Sequence, residues 1–267
     1  MTTSVGLIGY GGIAQDALAA LRESGEGVEI IGALCRAGRT ANARAALPGI
    51  AIVESLDDLL ARNPKAVAEV AGQGAVAEHG PAVLRRGTDL LVISIGALAE
   101  PKLLQALKAA ASDGGSRILL PPGAIGGIDA IAAMRLGGLN TVRYRSRKPP
   151  GAWRGSPAEK VADLSKLTSR TVLYRGNAGE AALLYPQNAN VAAAVALAGL
   201  GFDKTEVELV ADPAAPGNVH EIEVEGAAGR FAIQLQGKPS RTNPKTSALA
   251  ALSVARALVN LEAAIVI

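Results

Sequence analysis

The 267-residue chain has little sulphur and little imidazole: one cysteine, Cys35, and two histidines, His79 and His220. A single thiol excludes an intrachain disulfide, and three soft ligands are too few for a zinc centre. Aromatic residues make up 3%, which argues against stacking platforms for single-stranded nucleic acid. Charge is close to balanced, since 27 Lys and Arg against 24 Asp and Glu leave +3. That excess suits small anions and gives no case for DNA. No run of about 18 apolar residues occurs, so no membrane-spanning helix is expected. The first residues lack the basic segment and apolar core of a secretory signal, and the expected compartment is a reducing cytoplasm.

What the chain does have is aliphatic material. Hydrophobic residues make up 49%, mostly Ala, Val, Leu and Ile, enough for one large domain or two smaller ones. The most informative stretch comes first. Val5 to Ile8 reads as a buried strand, Gly9-x-Gly11-x-x-Ala14 follows at once, and Ile13, Ala17, Leu18 and Leu21 then recur at helical spacing. Strand, glycine turn and helix in that order form the context that makes a dinucleotide-binding fingerprint credible. Gly9 allows the turn, Gly11 lets a pyrophosphate approach the backbone, and Ala14 lets the helix pack on the strand. Gly12 and Ile13 open the helix, whose free N–H groups attract phosphate. A tight strand–helix turn without a nucleotide is the plainer alternative.

Val28 to Leu34 reads as a second parallel strand. An acidic residue after it would bind the adenine ribose, but Cys35-Arg36 stands there, about 20 residues past the glycine turn. Arg36 fits either a 2′-phosphate, which would make NADP the cofactor, or an exposed loop. Ser55-Leu56-Asp57-Asp58 resembles a capping box. Strands are expected at Ala66 to Ala71, Leu90 to Ile95 and Arg117 to Leu120, with helices from Gln73 to Leu84 and from Pro101 to Ala111. This alternation predicts an α/β fold with a Rossmann-type, doubly wound parallel sheet.

Pro121-Pro122-Gly123 breaks the rhythm and marks a domain boundary. A helix from Ile125 to Leu136 is expected next, then a strand over Val142 to Lys148 with one basic face. That run suits a solvated face better than a nucleic-acid site, because no other basic cluster supports it. Residues 153–168 have no clear assignment. Helices over Glu180 to Leu184 and Val191 to Leu200 precede three strands, Glu206 to Val210, Val219 to Val224 and Phe231 to Leu235, which lean antiparallel. Asn243-Pro244 opens a last helix, Thr246 to Glu262.

Of the two histidines, His79 lies beside Gly80-Pro81, at an apparent helix break, and reads as structural. His220 alternates with Ile222 and Val224, while Glu221, Glu223 and Glu225 take the opposite face. An imidazole on the apolar face is either a core group with a backbone partner or a general acid/base in a cleft. Residue patterns go no further than a two-domain nicotinamide enzyme with one proton-transfer candidate.

Six stretches together resemble the L-aspartate dehydrogenase family: residues 69–76 (EVAGQGAV), 94–98 (SIGAL), 123–129 (GAIGGID), 186–192 (PQNANVA), 217–222 (GNVHEI) and 238–247 (KPSRTNPKTS). The resemblance implies a Rossmann domain over 1–122 with 243–267 and a catalytic domain with a mixed or antiparallel sheet over 123–242. The last helix would return to the Rossmann domain. It implies oxidation of L-aspartate with NAD or NADP, a homodimer, and a link to NAD biosynthesis. His220 matches the family's catalytic histidine, and Ala124 and Asn190 match its two cofactor contacts. Lys245, Ser240 and backbone N–H groups near Gly123 are candidates for holding the substrate carboxylates. Pro122 stands where a serine is frequent and Val70 where a cysteine is. Alternatives are a dihydrodipicolinate-reductase-like or homoserine-dehydrogenase-like enzyme, or a non-catalytic NAD(P)-binding protein.

Overall fold

The computed structural model describes residues 2–243 and 246–266. The first half alternates strand and helix: β1 (Thr3–Ile8), α1 (Gly12–Ser24), β2 (Val28–Leu34), α2 (Thr40–Ala46), β3 (Ile52–Val53), α3 (Leu56–Leu60), β4 (Ala66–Glu69), α4 (Gln73–Arg85), β5 (Asp89–Val92), α5 (Pro101–Gly114) and β6 (Ile118–Leu119). The six strands pair in parallel in the order β3-β2-β1-β4-β5-β6, the doubly wound arrangement of dinucleotide-binding folds. β4 and β5 are buried along their whole length, as strands covered on both faces must be.

The second half contains α6 (Ile128–Gly137), β7 (Leu139–Lys148), α7 (Ala158–Val161), β8 (Thr171–Asn177), α8 (Ala178–Leu184), α9 (Asn190–Ala198), β9 (Glu206–Ala211), β10 (Asn218–Gly226) and β11 (Gly229–Gly237). Five strands form a mixed sheet, β11-β10-β7-β9-β8, in which only β7 and β9 run parallel. α10 (Ala248–Val259) then returns to the first sheet, where Ala251, Val254, Ala255 and Leu258 share a core with Val5, Leu7, Ala14 and Leu18. α9 joins the two halves. Its Val191, Ala192, Val195 and Ala196 face the mixed-sheet core, whereas Ala193 and Ala194 pack into the parallel-sheet core. Small side chains let the layers close on both sides of one short helix.

Several expected bounds move for identifiable reasons. β4 stops at Glu69 and β5 at Val92, both short of the predicted strands. The Glu69 carboxylate, fully buried, accepts hydrogen bonds from Ala71 N (2.8 Å), Gly72 N (2.6 Å), Ser94 N (3.1 Å) and Ser94 Oγ (3.0 Å). It turns both strand ends at once. α6 begins at Ile128, not Ile125, because Gly127 in left-handed geometry (φ +76°) sets its N-terminus. α4 runs through Pro81 without breaking, so His79 lies inside a helix. β8 and α2 were not expected. In residues 153–168, α7 and the fully buried Trp153 replace the missing assignment.

Glu69→Gln puts an amide donor among four donors. It should lower stability by about 1–3 kcal/mol, a fall of several degrees in thermal denaturation. An unchanged melting temperature would show that the carboxylate does not hold the two strand ends.

Candidate active site

At the carboxyl end of β1, Gly9 has φ +105°, and a Cβ there would lie 2.8 Å from Ala71 Cβ. Its N–H donates to Leu34 O (3.0 Å), so the turn is tied to the end of β2. Gly11 caps α1 without a side-chain hydrogen bond, and no acidic residue occupies the first turn. A Cβ built on Gly11 would meet no protein atom within 4 Å. The protein's own packing therefore does not require glycine there. The open space and the uncapped helix N-terminus both fit an anionic pyrophosphate. Gly12 has a different reason to be small: a Cβ would come within 2.5 Å of Thr242 Oγ1, so its absence lets the loop after β11 close over α1.

From this turn a cavity of ≈ 730 Å³ extends between the two sheets, walled by Gly11, Gly12, Ala71, Gly72, Gln73 and Ser94 on one side and by Ala152, Arg154 and Tyr185 on the other. A narrower cavity of ≈ 120 Å³ holds Gly123, Ala124, Lys148, Asn218 and His220. Ile13, Ile93, Gln187, Asn188, Asn190 and Thr246 line both, so the two are limbs of one cleft. Asn190 Oδ1 accepts from Gly96 N (3.0 Å), and a Cβ at Gly96 would fall 2.4 Å from Gln73 Nε2 and 3.0 Å from Asn190 Oδ1, so a larger residue would displace those side chains. Ser253 of α10 accepts from Gly123 N (3.0 Å). The returning helix thus fixes the Gly123–Ala124 loop that forms the floor.

His220 is 3% exposed and lies across from Ser146 in the β10–β7 ladder. Its Nδ1 is 2.7 Å from Tyr144 Oη, and the rings stack with centroids 6.0 Å apart. The histidine's partner is therefore a side chain, not backbone. Burial, and secondarily the charge of Lys148, pushes the imidazole down to about 3, so the ring is neutral at physiological pH. Burial raises Tyr144, which keeps its proton. With Nδ1 engaged, Nε2 is the nitrogen left for chemistry. Lys148, 4% exposed, extends Nζ to Asn188 Oδ1 (3.0 Å) and lies 5.3 Å above the Trp153 ring.

A model of the aspartate dehydrogenase C-terminal region matches residues 129–261, and one of the homoserine dehydrogenase NAD-binding domain matches residues 9–121. An L-aspartate dehydrogenase of Ruegeria pomeroyi is 48% identical over 98% of this chain and 93% of its own length. One of Pseudomonas aeruginosa is 54% identical over 74% of each. The crystal structure of aspartate dehydrogenase from Thermotoga maritima superposes with a TM-score of 0.81 at 27% identity, covering 100% of both chains. The chain belongs to the aspartate dehydrogenase family. It is on that footing an oxidoreductase with an NAD(P)-binding domain.

Within this aspartate dehydrogenase fold, Gly11, Gly12, Ile13, Ala124, Asn190 and His220 all line the cleft, and Gly9 forms the turn beneath it. Two expected residues stand apart. Arg36 is exposed past the end of β2 and lines neither limb. The Ser240 hydroxyl is engaged within the chain: it donates to Asp16 Oδ2 (2.5 Å), accepts from Thr242 N and Asn243 N, and the residue lines neither limb. The Gly123 N–H is likewise committed to Ser253. Lys245 lies outside the described residues. Sequence patterns missed Glu69, Tyr144 and Lys148. The signal for the last two was present, since alternation along β7 puts both on the face opposite Arg143, Arg145 and Arg147.

Two glycines separate folding from binding. Gly9→Ala should cost about 1–3 kcal/mol in backbone strain and melt earlier. Gly11→Ala should melt as wild type yet bind NAD(P) about tenfold or more weakly, because its methyl group projects where phosphate approaches. Differential scanning fluorimetry with a cofactor fluorescence titration reads both, and equal cofactor affinity in Gly11→Ala and wild type would contradict the assignment.

Proposed function

We propose that the protein oxidises L-aspartate to iminoaspartate with NAD or NADP, water then releasing oxaloacetate and ammonia, and that His220 is the proton-transfer group. The observation that carries this reading is the continuity of the cleft from the glycine turn to His220. Its support in kind is the family, whose named members are L-aspartate dehydrogenases. When bound, the nicotinamide supplies the acceptor for the hydride leaving the substrate α-carbon. The chain's residues prepare the substrate for that step. The ammonium must lose a proton before its nitrogen lone pair can form the C=N bond, and Nε2 of a neutral His220 accepts it.

Tyr144 makes this possible from behind. Once Nε2 takes a proton, Nδ1 carries the other hydrogen and donates it to Tyr144 Oη, a phenol that can serve as donor or acceptor. The carboxylates of bound substrate bring negative charge beside Lys148 and favour the protonated ring. The same imidazolium can return its proton as water adds to the imine. Asn190, held by the Gly96 N–H, lines both limbs where they meet. The homodimer, the cytoplasmic location and a role feeding NAD biosynthesis belong to the same reading, and light scattering at twice the chain mass would support the first.

His220→Gln should lower kcat by about 10²- to 10⁴-fold and leave the NAD(P) dissociation constant unchanged. Aspartate turnover surviving within a few-fold would exclude His220 as the proton acceptor. Stability carries a second signature. A histidine held at about 3 in the folded state, against about 6.5 unfolded, binds its proton preferentially in the unfolded chain. Its contribution is therefore present above pH 6.5 and lost as pH falls from there toward about 3. Wild type should lose stability across that window faster than His220→Gln in urea titrations at stepped pH.

A further inference from the structure

We propose that Lys148 is the carboxylate anchor of the narrow limb, its ammonium receiving one carboxylate of a four-carbon amino dicarboxylate while His220 works on the amine. This rests on the reading of L-aspartate as substrate. The first observation is the contrast between the two faces of β7. Arg143 pairs with Glu206, Arg145 with Glu208 and Glu221, and Arg147 with Glu221 and Asp212. Each outward cation has a carboxylate partner. Lys148, turned inward and 4% exposed, forms no ion pair among the described residues. An unpaired buried cation is unfavourable, and a fold that neutralises its neighbours on the same strand has left this one uncompensated.

The second observation is where that charge sits. An ammonium has three donors. Asn188 Oδ1 takes one, and the Trp153 face, fully buried beneath the stem, supports the head without accepting a conventional hydrogen bond. The remaining donor capacity opens on the ≈ 120 Å³ limb that Lys148 shares with His220, Ala124 and Asn218. Among the described residues the other cation on the cleft wall is Arg154, which is exposed and lines only the wide limb. Ser240, the hydroxyl expected for this task, is already engaged by Asp16. A compact point charge on a long stem suits a narrow pocket better than a guanidinium fork. Burial holds the amine down to about 8, in keeping with a counter-charge that arrives from outside the chain.

Succinate, which has both carboxylates and no amine, separates binding from chemistry. With NAD(P) bound, Lys148→Met should raise the succinate dissociation constant and the aspartate KM together by about 10- to 100-fold, leave cofactor affinity within about twofold, and be partly rescued by Lys148→Arg. In wild-type protein, succinate should slow acetylation of Lys148 by acetic anhydride, read by peptide mass spectrometry, which needs no variant to fold. Succinate affinity equal in Lys148→Met and wild type would overturn the anchor. So would acetylation at the same rate with and without succinate, or no acetylation in free enzyme, since a carboxylate-binding amine must be reachable. Wild-type protein that neither binds succinate nor oxidises aspartate would instead overturn the substrate reading, and the anchor with it.

Discussion

The site depends on one strand that carries opposite chemistry on its two faces. Along β7, Val142, Tyr144, Ser146 and Lys148 are buried, while Arg143 and Arg145 face out among carboxylates. Exposed ion pairs contribute little each, about 0–1 kcal/mol, so the outward ladder does not by itself hold the strand. The inward side does, through Val142 and Tyr144 in a core that includes Trp153. Because β10 is in register with β7, His220 across from Ser146 falls on the same inward face. A phenol, an imidazole and an ammonium are thus brought together where water is scarce. Their charge states follow from that placement more than from their chemical type.

The other wall of the cleft depends on a buried anion. Glu69 ends β4 and turns the end of β5, and both loops then face the cavity through Ala71, Gly72 and Ser94. Burial raises this carboxyl, and its four donors oppose the rise, so hydrogen bonds from the chain stand in for the missing cation. The strand order reverses direction between β1 and β4, where doubly wound sheets bind their ligands. Chain ends far apart in sequence meet there. α10 holds the Gly123 loop through Ser253, and the loop near Thr242 closes over Gly12 because that residue has no side chain.

Local rules account well for the parallel half. Gly9, Gly11 and Ala14 needed only their spacing, and the apolar runs of β1, β2 and β5 read directly as strands. The two strands there that end early share a cause: Glu69 ends both through tertiary hydrogen bonds that no propensity encodes. The second half was less legible. β8 pairs only with β9 at the sheet edge and is half-exposed, with a break in register between Val172 and Tyr174, so its alternation is weak. Ser240 looked available as a hydroxyl, but its partner Asp16 lies 224 residues away.

Periodicity and glycine placement, which are properties of neighbouring residues, determined the nucleotide turn, the α/β class and the inward direction of His220. Tertiary structure alone decided that the imidazole leans on Tyr144, that Lys148 stands beside it with no carboxylate partner among the described residues, and that α9 brings both within one cleft of the glycine turn. The reason is physical. Burial and hydrogen-bond partners set protonation and reactivity, and both are fixed by contacts between segments that sequence distance keeps apart.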